Sequence, residues 1–191
     1  MFSKIGVTGI AGAVLLAAAI AKPVDAAPID ADITFVIDRS GSMSGEFGFL
    51  GGAISGFLSD LQADSRIGSA QAGLVSYLGT STLEQDLTAD ASVLQTAFNA
   101  VGSGGGIENA FGAVDSAIPG GNGSLRLSYR PGSTRSIVLI TDEDADDGAT
   151  GSSSEYSNSF ATSSGTGDLE ALLDSSGFLN NIIYDFNGFD D

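Results

Sequence analysis

Residues 33–42 read Ile-Thr-Phe-Val-Ile-Asp-Arg-Ser-Gly-Ser, and this stretch decides the fold. Its first five residues form a continuous β-branched and apolar run, which is typical of a strand buried on both faces of a parallel sheet. The run ends at Asp38 and passes into a loop of serine and glycine. Apolar residues then recur at helical spacing from Phe47 to Leu61, so we predict a strand, a loop and a helix in that order.

The rest of the chain repeats this alternation. Four glycines in the first helix, at positions 48, 51, 52 and 56, lower its intrinsic stability, so we expect close packing to compensate for them. Alternating strands and helices predict an α/β fold, a doubly wound and mostly parallel central sheet with helices on both faces. The further strands are predicted at 70–78, 82–87 (an edge hairpin with the preceding strand), 136–140 and 179–186, and the further helices at 93–101 (capped by Asp90), 107–118 and 168–174.

Composition restricts the function classes. The chain has 191 residues, enough for one domain, and 7 basic against 24 acidic side chains give a net charge of -17, which argues against nucleic acid as a partner. It contains no cysteine and no histidine, so thiolate chemistry, Ser-His pairs and His-ligated zinc are excluded. We expect Arg126, Arg130 and Arg135 to be surface counter-charges.

The first 26 residues have the features of a secretory signal. Lys4 precedes an apolar run over 5–20, and Val24 and Ala26 stand at the two small positions of a cleavage site. The run is shorter than the roughly 20 residues needed to span a bilayer, which favours a cleaved signal over a transmembrane anchor. We therefore expect a secreted or cell-surface protein, with a signal peptide over 1–26, one domain over 27–191 and no membrane span in the mature chain.

Two predicted strands end in aspartate, Asp38 and Asp142. The carboxyl ends of parallel strands form the ligand crevice of open α/β sheets, so these carboxylates and the hydroxyls of Ser40 and Ser42 are expected to meet there. Carboxylate and hydroxyl oxygens suit a divalent ion, and magnesium is favoured because it keeps several waters and needs few protein carboxylates. The alternative is a plain strand-to-helix turn in which these side chains only cap backbone groups.

The Asp-Arg-Ser-Gly-Ser loop after an apolar strand, the Gly-rich stretch about 60 residues later and Ile-Thr-Asp at the end of a further strand together resemble a von Willebrand factor type A (VWA) domain of the exported bacterial type. The resemblance covers about residues 32–186. It implies a Rossmann-like fold and a metal-ion-dependent adhesion site holding Mg²⁺ or Mn²⁺, in preference to Ca²⁺, through Asp38, Ser40, Ser42 and Asp142. The family usually continues with a further helix, strand and helix, so we expect a C-terminally incomplete domain.

One family motif is altered. The middle loop, residues 104–108, reads Gly-Gly-Gly-Ile-Glu and lacks the usual threonine, so Glu108 is expected to reach the ion directly or through water, or the site is weakened. The resemblance implies a non-catalytic module that captures an acidic group of a protein or glycan through the metal. Two alternatives stay open: a passive surface or matrix protein with no occupied site, and a metal-assisted hydrolase. The acidic residues 142–147 could bind calcium weakly, although a solvated loop is the better interpretation.

Overall fold

The computed structural model of the chain describes residues 27–105, 108–121, 125–142 and 169–184. The predicted signal over 1–26, the acidic residues 143–147 and the predicted loop over 148–167 lie outside this part. The strands are β1 (Ile29–Asp38), β2 (Ile67–Tyr77), β3 (Ser81–Thr88), β4 (Thr134–Thr141) and β5 (Phe178–Tyr184). The helices are α1 (Phe47–Ala63), α2 (Ala91–Ala100), α3 (Ala110–Ala117) and α4 (Leu169–Ser176), and a short 3-10 turn, Ser42–Gly45, precedes α1.

The described strands form one five-stranded sheet in the order β3-β2-β1-β4-β5. β1 lies at its centre and pairs in parallel with β2 and β4, and β4 pairs in parallel with β5. β3 is an edge strand and pairs with β2 in antiparallel orientation. The predictions of a mostly parallel α/β sheet and of an edge hairpin are therefore confirmed.

Helices cover both faces of the sheet, because the strand side chains on both faces are apolar. On one face, Ile54 and Leu58 of α1 and Leu94 and Phe98 of α2 pack against alternate residues of the strands, among them Phe35. The side chains that cover the opposite face come from α3 and α4 and include Ala113, Val114 and Leu173. Every helix in the described part of the chain is too short or too polar to span a bilayer.

Only one of the glycines expected to pack closely in α1 does so. A Cβ added at Gly51 would meet Asn99 Oδ1 at 2.9 Å and Phe98 Cδ1 at 3.1 Å, so this glycine lets α2 approach α1. A Cβ added at 48, 52 or 56 would meet nothing within 4 Å. The expectation of close packing is therefore wrong for those three positions, which lie on the outer surface of the helix.

Arg130 is not the surface counter-charge that the sequence suggested. Its Nε donates to Oδ1 of Asp32 at 2.7 Å, its backbone N–H donates to Oδ2 of the same residue at 2.7 Å, and Asp32 is fully buried. Ser133 Oγ donates to the same carboxylate at 2.7 Å. The Arg130–Asp32 ion pair and the Ser133 hydrogen bond hold residues 130–133, just before β4, against the amino-terminal half of β1.

Candidate metal centre

Three neighbouring strands end at the same edge of the sheet, and each ends in a polar side chain. Asp38 is the last residue of β1, Thr141 of β4 and Tyr77 of β2. The β1–β2 register places Asp38 opposite Tyr77. Thr141 follows Ile140, which is opposite Ile37, so it stands beside Asp38 on the other side. Register partners in a parallel sheet project to the same face, so these three side chains share one face.

Backbone pairing holds the loop after β1 in place. The Arg39 N–H donates to the Tyr77 carbonyl at 3.1 Å, and the Gly104 N–H donates to the Arg39 carbonyl at 2.9 Å. Ser40 and Gly104 form an isolated parallel bridge, which brings the Gly-rich middle loop against the first loop. The Ser40 N–H donates to Oδ1 of Asp38 at 2.7 Å, so the loop turns around this carboxylate.

The hydroxyls of the first loop connect the two strand ends. Ser40 Oγ and Ser42 Oγ lie 2.7 Å apart and share a hydrogen bond. Ser42 Oγ donates to Oδ1 of Asp142 at 3.3 Å. Asp38 and Ser40 are buried, whereas Ser42 is exposed and Asp142 half-buried, so the group extends from the interior to the surface.

Glu108 approaches the same carboxylate from the side of α3. The Asn109 N–H donates to the Leu78 carbonyl at 3.1 Å, and the Asn109 side chain caps α3 by accepting from the Gly112 N–H at 2.9 Å. These contacts fix the residue just before the helix. The Glu108 side chain is 6% exposed and forms a hydrogen bond with Asp38. Two neighbouring carboxyl groups disfavour each other's ionised form, and a bound cation would favour it.

The electrostatics of Asp38 are those of a buried acid. Burial raises the pKa of the Asp38 carboxyl above its usual value, although hydrogen bonds from the Ser40 backbone and from Glu108, Ser40 and Thr141 oppose the shift. Thr141 Oγ1 donates to Oδ2 of Asp38 at 3.1 Å. A bound divalent cation would favour the ionised form by supplying the opposite charge.

The donor chemistry of this group fits a hard divalent cation. All of the side-chain donors are oxygens, from the carboxyls of Asp38 and Asp142, the hydroxyls of Ser40 and Ser42, and Glu108 behind them. Among the residues that the structure describes, no group of three or more Asp, Glu, His or Cys side chains is arranged so that it could hold a metal ion. An ion here would therefore need the serine hydroxyls as well as carboxylates, and the use of these residues as ligands stays a prediction.

Sequence reasoning missed Tyr77 and Thr141. Both are the last residues of strands that flank β1, and that position is the signal that could have found them. Burial raises the pKa of Tyr77 well above its ordinary value, and the charges of Asp38, Glu108 and Asp142 raise it further. The Tyr77 hydroxyl therefore stays protonated beside the carboxylates. Gly106 and Ile107 of the middle motif lie outside the described residues.

Comparison with known proteins identifies the family. The model of the von Willebrand factor type A domain matches residues 32–165, which is 134 of the 191 residues. The chain belongs to the VWA domain family. The match includes the ends of β1 and β4 and the middle loop, and the predicted family is therefore confirmed. No curated protein matches the chain.

Two solved structures from different organisms are similar to this chain. The vWF domain of the type V pili tip protein Mfa5 from Porphyromonas gingivalis is 21% identical with a TM-score of 0.48, over 63% of this chain and 40% of that one. Proximal thread matrix protein 1 from the mussel byssus is 18% identical with a TM-score of 0.52, over 82% of this chain and 36% of that one. This VWA chain thus spans well under half the length of either relative.

Proposed function

We propose that this VWA chain is an exported binding module rather than an enzyme, and that it captures an acidic group of a protein or glycan through a divalent cation. Asp38, Ser40, Ser42 and Asp142 would hold the cation, with Glu108 behind them. One observation carries the proposal. Ser42 Oγ lies within hydrogen-bonding distance of both Ser40 Oγ and Asp142 Oδ1, so oxygens from two strand ends converge at the surface.

The preferred ion is Mg²⁺ or Mn²⁺. Mg²⁺ keeps several water ligands and is bound through one or two carboxylates, whereas Ca²⁺ takes six to eight oxygen ligands. The hydroxyls of Ser40 and Ser42 are two of the oxygen ligands proposed for the ion, and of these ligands Asp38 and Ser40 are buried whereas Ser42 is exposed. The bound ion supplies a positive centre with a coordination position for an acidic oxygen from outside.

Net charge explains why the cation is needed. The chain carries a net charge of -17, so it repels an acidic partner over most of its surface. An acidic partner would be attracted at the one point where a divalent cation reverses the sign of the local charge. Binding should therefore disappear when the cation is removed.

Calorimetric titration of the purified protein with Mg²⁺, Mn²⁺ and Ca²⁺ tests the metal site. We expect Mg²⁺ and Mn²⁺ to bind in the low-millimolar range or tighter, which corresponds to roughly 4 kcal/mol or more. Asp38→Asn and Asp142→Asn should abolish or strongly weaken the binding. Asp60→Asn removes the same charge from an exposed position on α1 and serves as the control. Equal binding by all the variants would contradict the proposal.

Capture of a partner is tested with the protein immobilised. Surface extracts from the source cells are passed over wild type and Asp38→Asn, each with Mg²⁺ and with EDTA. We expect partners that bear exposed acidic groups to be retained only by wild type in Mg²⁺. Retention that neither EDTA nor the substitution changes would indicate a passive surface or matrix component instead.

A further inference from the structure

A row of exposed apolar side chains runs along α1. Phe49 is 74% exposed and Phe57 is 43% exposed, and Ala53 between them is exposed as well. These three residues are four positions apart, so on a helix they form one ridge about 12 Å long, called the Phe ridge below. The ring of Phe57 packs edge-on against buried Phe35, with 6.0 Å between the ring centroids, and this contact holds one end of the ridge in place. Single exposed apolar residues are ordinary, but an aligned group of them indicates a contact surface.

A groove without side chains lies directly beside this ridge. Gly48, Gly52 and Gly56 occupy the adjacent row of the helix, again four positions apart, and a Cβ added at any of them would meet nothing within 4 Å. This row is called the glycine groove below. When two helices pack, the ridge formed by residues four apart on one helix fits into the groove between such ridges on the other. The outer side of α1 therefore presents a ridge and a matching groove next to each other.

The face that carries the Phe ridge is almost uncharged, although the protein is strongly acidic. The two helices that cover this side of the described sheet, α1 and α2, contain one charged residue, Asp60, whereas the whole chain has a net charge of -17. Copies of such a chain repel one another through most of their surface. The repulsion is least where two uncharged faces meet, and exposed aromatic rings without neighbouring charges are typical of the centre of a protein–protein interface.

We propose that the outer side of α1 is a self-association surface, at which two copies of the chain form a symmetric dimer. A two-fold interface brings the same patch of both copies together, so it requires a projection and a matching recess on one surface, and α1 has both. The Phe ridge of each copy lies in the glycine groove of the other, with the two helices crossing at about -50°. The uncharged stretch of α1, residues 47–59, is only about 20 Å long, so the contact is smaller than a standard interface and the dimer is weak.

Sedimentation equilibrium of the purified protein in EDTA measures the association without any contribution from a metal ion. We expect a dimer with a Kd of roughly 0.1 mM, which NaCl strengthens because it screens the repulsion between the two acidic copies. Phe49→Ser removes the most exposed ring of the ridge, and Gly52→Ala places a Cβ in the groove. Each should weaken the dimer about tenfold or more. Leu179→Ser is the control, because it removes an apolar side chain that is 59% exposed on β5, and it should leave the Kd unchanged.

Gly52→Ala also separates loss of the interface from loss of the fold. Alanine favours the helix, so this variant should unfold at a higher Tm in dilute solution while its dimer is weaker, a combination that unfolding cannot produce. A protein that stays monomeric at millimolar concentration and high salt would overturn the inference. So would a dimer that either Phe49→Ser or Gly52→Ala leaves unchanged. A dimer that only Leu179→Ser weakens would place the contact at the β5 edge of the sheet instead.

Discussion

Asp86 is a half-buried carboxylate on β3 that holds the irregular segment 125–130 against the sheet. Its Oδ1 accepts from the Ser128 N–H at 2.8 Å and from the Leu87 N–H at 2.7 Å, and its Oδ2 accepts from Ser128 Oγ at 2.7 Å. Partial burial raises the pKa of Asp86, but these hydrogen bonds outweigh it and hold the pKa below its usual value. One side chain therefore connects an edge strand to a segment 42 residues away in the sequence.

The lowered pKa of Asp86 has a consequence for acid stability. The ionised carboxylate stabilises the folded chain at a pH above its ordinary pKa, and this contribution is lost as the pH falls through the lower pKa of the folded state. We expect Asp86→Asn to lower the free energy of unfolding by about 1 kcal/mol at neutral pH and to lessen the decline in stability on acidification. Urea unfolding at a series of pH values measures both effects. An exposed control, Asp60→Asn, should show neither.

The residues of the candidate site differ in how far the sequence could predict them. Asp38, Ser40 and Ser42 lie in one short motif, and Asp142 directly follows a second apolar strand, so the local sequence pattern was enough to select these four residues as candidates. Tyr77 and Thr141 depend on the register between strands, and Arg130 depends on a partner 98 residues away. Such contacts arise from tertiary packing, which a single sequence does not display.

At the scale of the elements, the sequence pattern located every described strand, and each of these strands begins one to four residues earlier than predicted. β1 begins at Ile29, four residues before the apolar run, because its first residues pair with β2 at the rim of the sheet. The helix predicted over 107–118 is shorter, and α3 begins only at Ala110, where Asn109 caps it. Pattern therefore predicts the existence and order of elements, and capping and pairing determine where they begin.

Two neighbouring glycines of α1, Gly51 on the buried side and Gly52 on the outer surface, predict opposite effects of substitution by alanine. Gly52→Ala should raise the free energy of unfolding by about 0.5–1 kcal/mol, because alanine favours the helix and its Cβ meets nothing within 4 Å. Gly51→Ala should lower the stability, because its Cβ would lie 2.9 Å from Asn99 Oδ1 and 3.1 Å from Phe98 Cδ1. Thermal unfolding of both variants compares them directly. A gain from Gly51→Ala would show that α2 can move away at little cost.

Buried charged side chains lie at both ends of β1. The carboxyl end holds acidic groups, and the amino end holds an ion pair of opposite charges. At the site end the Asp38 carboxyl lies beside Glu108, whereas at the amino end the guanidinium of Arg130 lies against buried Asp32. Removing one partner of such a pair leaves an uncompensated buried charge. We therefore expect Arg130→Met to lower the free energy of unfolding by about 3–5 kcal/mol, measured by urea unfolding. Metal affinity should be unchanged, since the pair lies at the other end of the sheet.

Salt should weaken the repulsion between exposed carboxylates but have little effect on the buried Arg130–Asp32 pair. Comparing the salt dependence of Tm in wild type and in Arg130→Met tests this difference. With 24 acidic and 7 basic side chains, exposed carboxylates repel one another, and NaCl screens that repulsion over a Debye length of about 10 Å at 0.1 M. The Tm of wild type and of Arg130→Met should therefore rise together as NaCl is added. The difference between the two should persist, because buried pairs are screened much less than exposed ones. If the difference instead closes with salt, the pair contributes as a solvated surface contact and the predicted cost of Arg130→Met is wrong.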